Sequence, residues 1–357
     1  MVNQIGFFIR NFDSYCDNGA NQQVVFFFYL LVNIGITCYV FTEPNITEEC
    51  LNLLKKQIPR DSIRILNPDI LKNQFDNFSH LIFLTYLPIN NQFLRYLKIN
   101  LNIKLFYLIS MNYINTFREY LLFGKNKFII NAFHKNISNH VDIITFDMYK
   151  DDLEVLSSYY NKKINIIPHI WGGNLIKDKV DLSKPNINSK EFEFIICEPN
   201  VSLTKSCFIP IIVASKLCKN SNNKIHITCC TPIMIRRIKN MFHQLSHRFI
   251  FHKRIDLLNL IKEINKTRIP IVVSHQYNNC SNYLYYELIY SNVILVHNSK
   301  KIKEYGIYYN DTKSLDLSKK KIKMNRTSSK ESILYNVSPL NVRNGWDFLK
   351  SISYKRS

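Results

Sequence analysis

An α/β chain folded as two parallel-sheet domains is what this sequence predicts, and three observations predict it. Short β-branched or aromatic runs alternate with longer amphipathic ones, the pattern of strands and crossover helices in a parallel sheet covered on both faces. The alternation breaks once, at the polar stretch KDKVDLSKPNINSK from Lys177 to Lys190, and then restarts. The chain has 357 residues, more than the roughly 250 to 300 at which single cores stop growing.

In the first half, Gln4 to Arg10, Ile36 to Phe41, Ser62 to Leu66, His80 to Tyr86, Lys104 to Ile109, Val141 to Phe146 and Ile164 to Pro168 read as strands. Helical patterns fill most gaps, among them Asn21 to Asn33, Asn90 to Lys98, Thr116 to Phe123 and Asp151 to Tyr160. Val24 to Phe41 is an uncharged stretch of 18 residues, the lower limit for a membrane span. Asn33 and Gly35 signal a helix end inside it, so it reads as a helix followed by a strand, and no transmembrane segment is expected. No basic residue precedes the first apolar run, which argues against a signal peptide.

After the break, Phe192 to Cys197, Lys224 to Cys230, Arg248 to His252, Ile269 to Val273 and Val293 to His297 read as strands. Lys205 to Cys218, Pro232 to Gln244, Ile255 to Asn265 and Asn282 to Tyr290 read as helices between them. Two Rossmann-like halves result, residues 1–180 and 190–335. Asp311 to Ser332, with Lys319, Lys320, Lys321 and Lys323, reads as a solvated excursion. A last helix, roughly Ser338 to Ile352, lies in residues 336–357.

Composition narrows the class. The net charge is +20, from 47 Lys and Arg against 27 Asp and Glu, which suits nucleic acid, an anionic membrane or a phosphorylated ligand. Much of the lysine looks scattered, as an Asn-, Ile- and Lys-rich composition gives, and this tempers the inference. The nine cysteines lack framework spacing, and Cys38, Cys197, Cys229 and Cys230 fall in apolar runs read as strands. Reduced, buried thiols in a cytoplasmic protein are the simplest reading.

The candidate chemistry lies where strands end, because open α/β sheets bind ligands at their carboxyl ends. The loop NFDSYCDNGANQQ after the first strand holds Asn18, Gly19 and Gln22, and lacks the G-x-G-x-x-G fingerprint. Small polar residues before a helix can hold an anion or sugar hydroxyls, and an ordinary capped helix explains them as well. In the second half Cys197-Glu198-Pro199-Asn200 ends a strand, and Lys205 in the expected first turn of the next helix suits a diphosphate. Glu287, a carboxylate at the start of a helix, has the logic of a ribose-binding acid, and a solvent-facing Glu explains it equally. His243 and His247 have metal-ligand spacing without an acidic or Cys-x-x-Cys partner, so no metal is expected. Walker loop, G-x-S-x-G elbow and Asp-x-Asp triplet are all absent from the sequence.

The arrangement resembles the GT-B glycosyltransferases, in which two Rossmann-like domains face a cleft and the last helix returns to the first domain. Their donor domain has a Lys after its first strand and a Glu in the pattern E-A-x-x-x-G-x-P-V-I, places taken here by Lys205 and by Glu287 to Val296. More closely, the chain resembles a glycosyltransferase-like family of unknown function from bacteria and large DNA viruses. Asn18 to Gln22, Pro168 to Trp171, Glu198-Pro199-Asn200 with Lys205, Asn282 to Tyr285, Val296 to Ser299 and Gly306 to Tyr309 carry that resemblance in order along nearly the whole chain. Asn279 stands where many GT-B enzymes have a further Glu, and Met111 where the family pattern has Gly.

The resemblance implies transfer of a sugar from a nucleotide diphosphate donor, with no cofactor and no metal, to an acceptor that is a glycan, lipid or protein, or else nucleic acid. A binding module that keeps the fold without catalysis is the third reading. It implies that Lys205 stabilises the departing diphosphate and that Glu287 holds the ribose. Asn200, His275 to Asn278, Asn298 and Ser299 would belong to the donor side, faced by Asn18, Gly19 and Gln22 from the first domain. No general base is assigned; His134, His169 and Asp17 are the candidates.

Overall fold

The structure is a computed structural model, and it describes residues 4–9, 19–66, 74–84, 91–109, 112–123, 139–167, 169, 171, 191–200, 205–218, 223–277, 282–311 and 315. The chain divides into two compact units, the first drawn from residues 1–172 and 337–357 and the second from residues 173–336. The expected linker and the C-terminal helix lie outside the described residues.

Among the described residues the first unit is built on seven strands: β1 (Gln4–Phe8), β2 (Thr37–Thr42), β3 (Ile63–Ile65), β4 (Phe78–Leu84), β5 (Lys104–Ile109), β6 (Asp142–Phe146) and β7 (Asn165–Ile167). They form one sheet in the order β3-β2-β1-β4-β5-β6-β7, with every pairing parallel. Its helices are α1 (Gly19–Asn33), α2 (Glu48–Gln57), α3 (Asn91–Ile99), α4 (Tyr113–Phe123) and α5 (Leu153–Tyr160). The continuous apolar strands are buried on both faces, as a parallel sheet requires. Phe8 packs on Phe41, Phe75 and Phe83 with ring centroids 5.0, 5.9 and 4.8 Å apart, so aromatic side chains fill much of this core.

The uncharged stretch resolves as expected. Helix α1 ends at Asn33, Gly35 turns the chain at φ +83°, and β2 begins at Thr37. Among the described residues no helix is long and apolar enough to cross a membrane.

Among the described residues the second unit holds six strands: β8 (Phe192–Ile196), β9 (Ile225–Ile227), β10 (Phe249–Phe251), β11 (Ile269–Val273), β12 (Ile294–His297) and β13 (Ile307–Tyr308). They pair in parallel in the order β10-β9-β8-β11-β12-β13. Counted within each unit, both sheets contain the order 3-2-1-4-5-6, to which the first adds a seventh strand, and this is the doubly wound order that reverses direction beside the first strand. In this unit the reversal lies between β8 and β11. The helices are α6 (Phe208–Leu217), α7 (Pro232–Met241), α8 (Leu257–Asn265) and α9 (Tyr283–Tyr290). Thr231 and Asp256 cap α7 and α8, each accepting from a backbone N–H of the first turn.

Four expectations change. Lys205 does not open a helix: α6 begins at Phe208, because Asn200 ties off the intervening loop. His243 and His247 lie in a 3₁₀ segment, His243–Arg248, where three-residue turns put positions four apart on different sides. Cys229 and Cys230 follow β9 instead of lying in it, and Cys229 sits at φ +58°. Cys197 likewise falls one residue beyond β8. Of the seven described cysteines, all free thiols, Cys38, Cys207, Cys218 and Cys230 are buried, whereas Cys50, Cys197 and Cys229 are partly exposed.

Candidate functional site

The second unit places three loops at the carboxyl ends of β8, β11 and β12, around the point where strand order reverses. The loop after β8 is held by Asn200, whose φ of +56° is one that Asn tolerates. Its Nδ2 donates to the Glu198 carbonyl at 2.9 Å, and its Oδ1 accepts from the Cys207 N–H at 2.7 Å. Its own N–H donates to the Lys205 carbonyl at 3.1 Å. One side chain thus fixes the backbone on both sides of Lys205. Asn200 is spent on that task.

The loop after β11 is held by Asn298 in the same manner. Asn298 Oδ1 accepts from the Gln276 N–H at 3.0 Å, and Nδ2 donates to the Gln276 carbonyl at 3.1 Å and to His275 Nε2 at 3.4 Å. With Nε2 accepting, His275 carries its proton on Nδ1 and donates it to Tyr309 Oη at 2.8 Å. Burial holds the His275 imidazole below its ordinary value, so it is neutral at pH 7. Ser299 is buried, and its N–H donates to His297 Nδ1 at 3.2 Å.

Between these loops lies Glu198, 1% exposed. Ser274 Oγ donates to one carboxyl oxygen, and Gln276 Nε2 donates to the other at 3.2 Å. Ser274 Oγ also meets the hydroxyl of buried Tyr285 at 2.7 Å, so Tyr285, Ser274 and Glu198 form a chain of hydrogen bonds. Burial raises the Glu198 pKa to about 7, against the opposing pull of Ser274, Lys205, Gln276 and the His275 N–H. Burial lowers Lys205, and the Glu198 carboxylate pulls it part of the way back. A buried acid that changes charge near neutral pH therefore sits beside the one cation of the β8 loop.

Glu287 comes from helix α9. It occupies the second turn of α9, not its start, because Asn282 caps that helix by accepting from the Leu284 N–H at 3.2 Å. It is partly buried and shares a partly exposed stripe with Tyr283 and Leu284, while Tyr285, Tyr286, Leu288, Ile289 and Tyr290 are buried. Asn292, in the place of the motif's glycine, adopts φ +57°. In the first unit Gly19 opens α1, and Gln22 is buried at 3% exposure beside Asn21 and Gln23. His169 is buried, with its N–H donating to Asp147 Oδ1 at 3.3 Å. Asn18, Asn278, Asp17, His134, Met111 and Asn279 lie outside the described residues. Among the described residues no cluster of His, Cys, Asp or Glu could hold a metal ion.

Ser274 was missed in the sequence; Glu198, Tyr285 and Tyr309 entered without a role, and Gln276 only within the donor-side stretch His275 to Asn278. The one signal was an acid directly after a β-branched strand. That acid could as well have pointed to solvent.

Residues 5–336 match one family along their length, described as a protein of unknown function (DUF2827). The chain belongs to that family. No curated protein matches the sequence. Solved structures share the fold over nearly the whole chain. An alpha-glucosyltransferase bound to UDP and a 13-mer DNA with an HMU base is 11% identical, covering 97% of this chain and 99% of its own at a TM-score of 0.66. A glycosyltransferase from Rickettsia africae is 14% identical, covering 99% of each chain at 0.61. Anabaena HepE bound to UDP-glucose is 9% identical, covering 98% and 99% at 0.58. This DUF2827 chain therefore has the GT-B glycosyltransferase fold.

Proposed function

We propose that this DUF2827 protein transfers a sugar from a nucleotide diphosphate donor, without a metal ion, to a glycan, lipid or protein acceptor. The observation that carries the reading is the strand-order reversal between β8 and β11, where doubly wound sheets bind nucleotides, with Lys205 fixed on the loop beside it. Lys205 meets the charge that develops on the departing diphosphate, the task a metal performs in other folds. Glu287 accepts from the ribose hydroxyls. Ser299 and His275 line the donor side, and Asn200 and Asn298 act by holding the two loops. Gln22, with Gly19 and Asn18, serves the first unit as the acceptor side. That structures of this fold hold UDP or UDP-glucose supports the choice of donor class.

The test is thermal stability of the protein against UDP-, GDP-, dTDP- and CMP-sugars without added metal. A ligand at 100 times its dissociation constant adds about 2.7 kcal/mol. One nucleotide is expected to stabilise the wild type, and neither Lys205→Ala nor Glu287→Ala is expected to respond or turn the donor over. Turnover surviving both changes would overturn the site assignment. Donor binding without turnover on any acceptor would favour the non-catalytic module.

A second reading, a nucleic-acid acceptor, is favoured by one observation. The positive charge is segregated, not scattered: residues 173–336 hold 27 Lys and Arg against 12 Asp and Glu, which is +15 of the total of +20. From position 199 to 255 there are ten Lys and Arg and no Asp or Glu. On α7, Arg236, Arg237 and Lys239 are exposed, and Lys253 and Arg254 follow β10 on the surface. Neutralised phosphates release counterions, so binding should weaken steeply with salt. Duplex binding lost in Arg236→Glu/Arg237→Glu but retained in Lys56→Glu/Arg60→Glu, an equal charge change on the other unit, would support it. Equal losses in both would reduce it to net charge alone.

A further inference from the structure

Glu198 has no part in the donor contacts just assigned, yet it is the most deeply buried carboxyl of the second unit's strand ends. We propose that Glu198 is a positioning residue for Lys205, and that donor binding beside Lys205 is coupled to uptake of a proton by the Glu198 carboxyl. The proposal rests on the donor site placed at Lys205.

The geometry is that of a clamp between two loops. Glu198 is the second residue beyond β8, and its carboxyl oxygens accept from Ser274 and Gln276, the first and third residues beyond β11. Its backbone carbonyl accepts from Asn200, whose N–H in turn holds the Lys205 carbonyl. The acid therefore ties the lysine's loop to the loop that Asn298 anchors on β12. At 1% exposure it cannot meet a ligand directly, and it acts through what it holds.

Its charge matters as much as its place. Ionised, Glu198 cancels much of the Lys205 charge inside a region of low dielectric; protonated, it leaves the whole cation to the incoming diphosphate. The groups facing it are Lys205 and Cys207 from its own loop, Ser274, Gln276 and the His275 N–H from the β11 loop, Tyr285 from α9, and Tyr309 beyond β13. Cys197 precedes it. Burial raises both tyrosines and both thiols, so none of them gains charge at neutral pH. His275 is held below its ordinary value. Glu198, at about 7, is poised to change charge there, beside a Lys205 that burial lowers. A diphosphate placed beside Lys205 raises that value further, and each unit of rise corresponds to about tenfold in affinity between low and high pH.

The test is calorimetric titration of the full chain with the nucleotide sugar that stabilises it. The diphosphate diester of such a donor carries no proton that titrates from about pH 6 to about pH 8.5, so proton exchange belongs to the protein. Buffers of different ionisation enthalpy give the number of protons taken up. Wild type is expected to take up a fraction of a proton at about pH 7.5 and to lose roughly three- to tenfold in affinity from about pH 6 to about pH 8.5. Glu198→Gln keeps the shape without the charge, and is expected to bind with no proton uptake and a flat profile. Ser274→Ala removes a donor from the carboxylate and is expected to move the midpoint to higher pH, so a misfolded Glu198→Gln leaves the idea testable. Unchanged uptake in Glu198→Gln, or an unmoved midpoint in Ser274→Ala, would overturn the proposal while the donor site stands. Wild type that binds no nucleotide at any pH overturns the donor site, and the coupling with it.

Discussion

Replacing Gly306 by alanine tests how rigidly the edge of the second sheet supports the site. Gly306 has φ +66°, a region that costs an L-residue about 1–2 kcal/mol. A Cβ there would lie 2.6 Å from the Leu295 carbonyl oxygen and 3.3 Å from two atoms of the His297 ring. Both belong to β12, and neither can turn aside, since His297 Nε2 is fixed by its bond to the Tyr305 carbonyl at 2.6 Å. Relief requires β13 to move off β12, an overpacking cost of about 1–3 kcal/mol. The expected loss is about 2–5 kcal/mol. Gly35→Ala supplies the comparison: at φ +83° with nothing within 4 Å, it carries the torsional cost alone, about 1–2 kcal/mol. Urea unfolding of the two variants measures the difference. Hydrogen exchange at the Tyr309 amide, which donates to the His297 carbonyl at 2.9 Å, shows whether the loss is located at β13. Equal losses for both variants, with Tyr309 as protected as in wild type, would refute the claim that this edge cannot yield.

Three further outcomes follow from burial. His80 and His297 are 8% and 0% exposed, and burial lowers each from 6.5 to about 4. A lowered histidine is neutral in the fold, so its contribution is present above pH 6.5 and is lost as pH falls toward 4; through His80 the first unit should lose about 2 kcal/mol between pH 6.5 and pH 5, measured by urea unfolding at both values, whereas in the second unit the Glu198 carboxyl, raised to about 7, gains over the same range and offsets the loss at His297. Phe8→Ala opens a cavity among Phe41, Phe75 and Phe83 and is expected to cost about 3–5 kcal/mol, with the first unit unfolding earlier in urea. Gly6→Ala would set a Cβ 2.6 Å from Leu81 Cδ2 and 2.7 Å from Phe41 Cε2, and because Phe41 is wedged between other rings, a loss of about 1–3 kcal/mol is expected in the same assay.

Much of the fold was legible because buried parallel strands write themselves as unbroken apolar runs. Lys104–Ile109 and Ile269–Val273 were located to the residue, and most other strand ends within one or two. The exceptions have local causes. β13 is two residues long, too short for any period, and it exists because Gly306 turns the chain beside β12. The first turn expected at Lys205 is absent because Asn200 captures the Cys207 N–H, a bond between side chain and backbone that helical periodicity does not record. Asn200 and Asn298 were found as site residues, but their work is to hold loops, and that distinction needed their partners.

Glu198 marks the limit of such a reading. Its neighbours in sequence, Cys197 and Pro199, are compatible with an acid at a strand end reaching into water. What buries it comes from Ser274 and Gln276, more than seventy positions away, and from Tyr285 on a helix that begins later still. Those contacts exist because strand order reverses between β8 and β11, which makes the first and fourth strands of the unit neighbours. The crossover that creates a crevice for a ligand is therefore the same one that brings Ser274 and Gln276 to the Glu198 carboxyl. A doubly wound order, once inferred, singles out the residues just beyond its first and fourth strands as partners. Applied to this chain, that rule pairs 197–200 with 274–277, the segments that Glu198 joins.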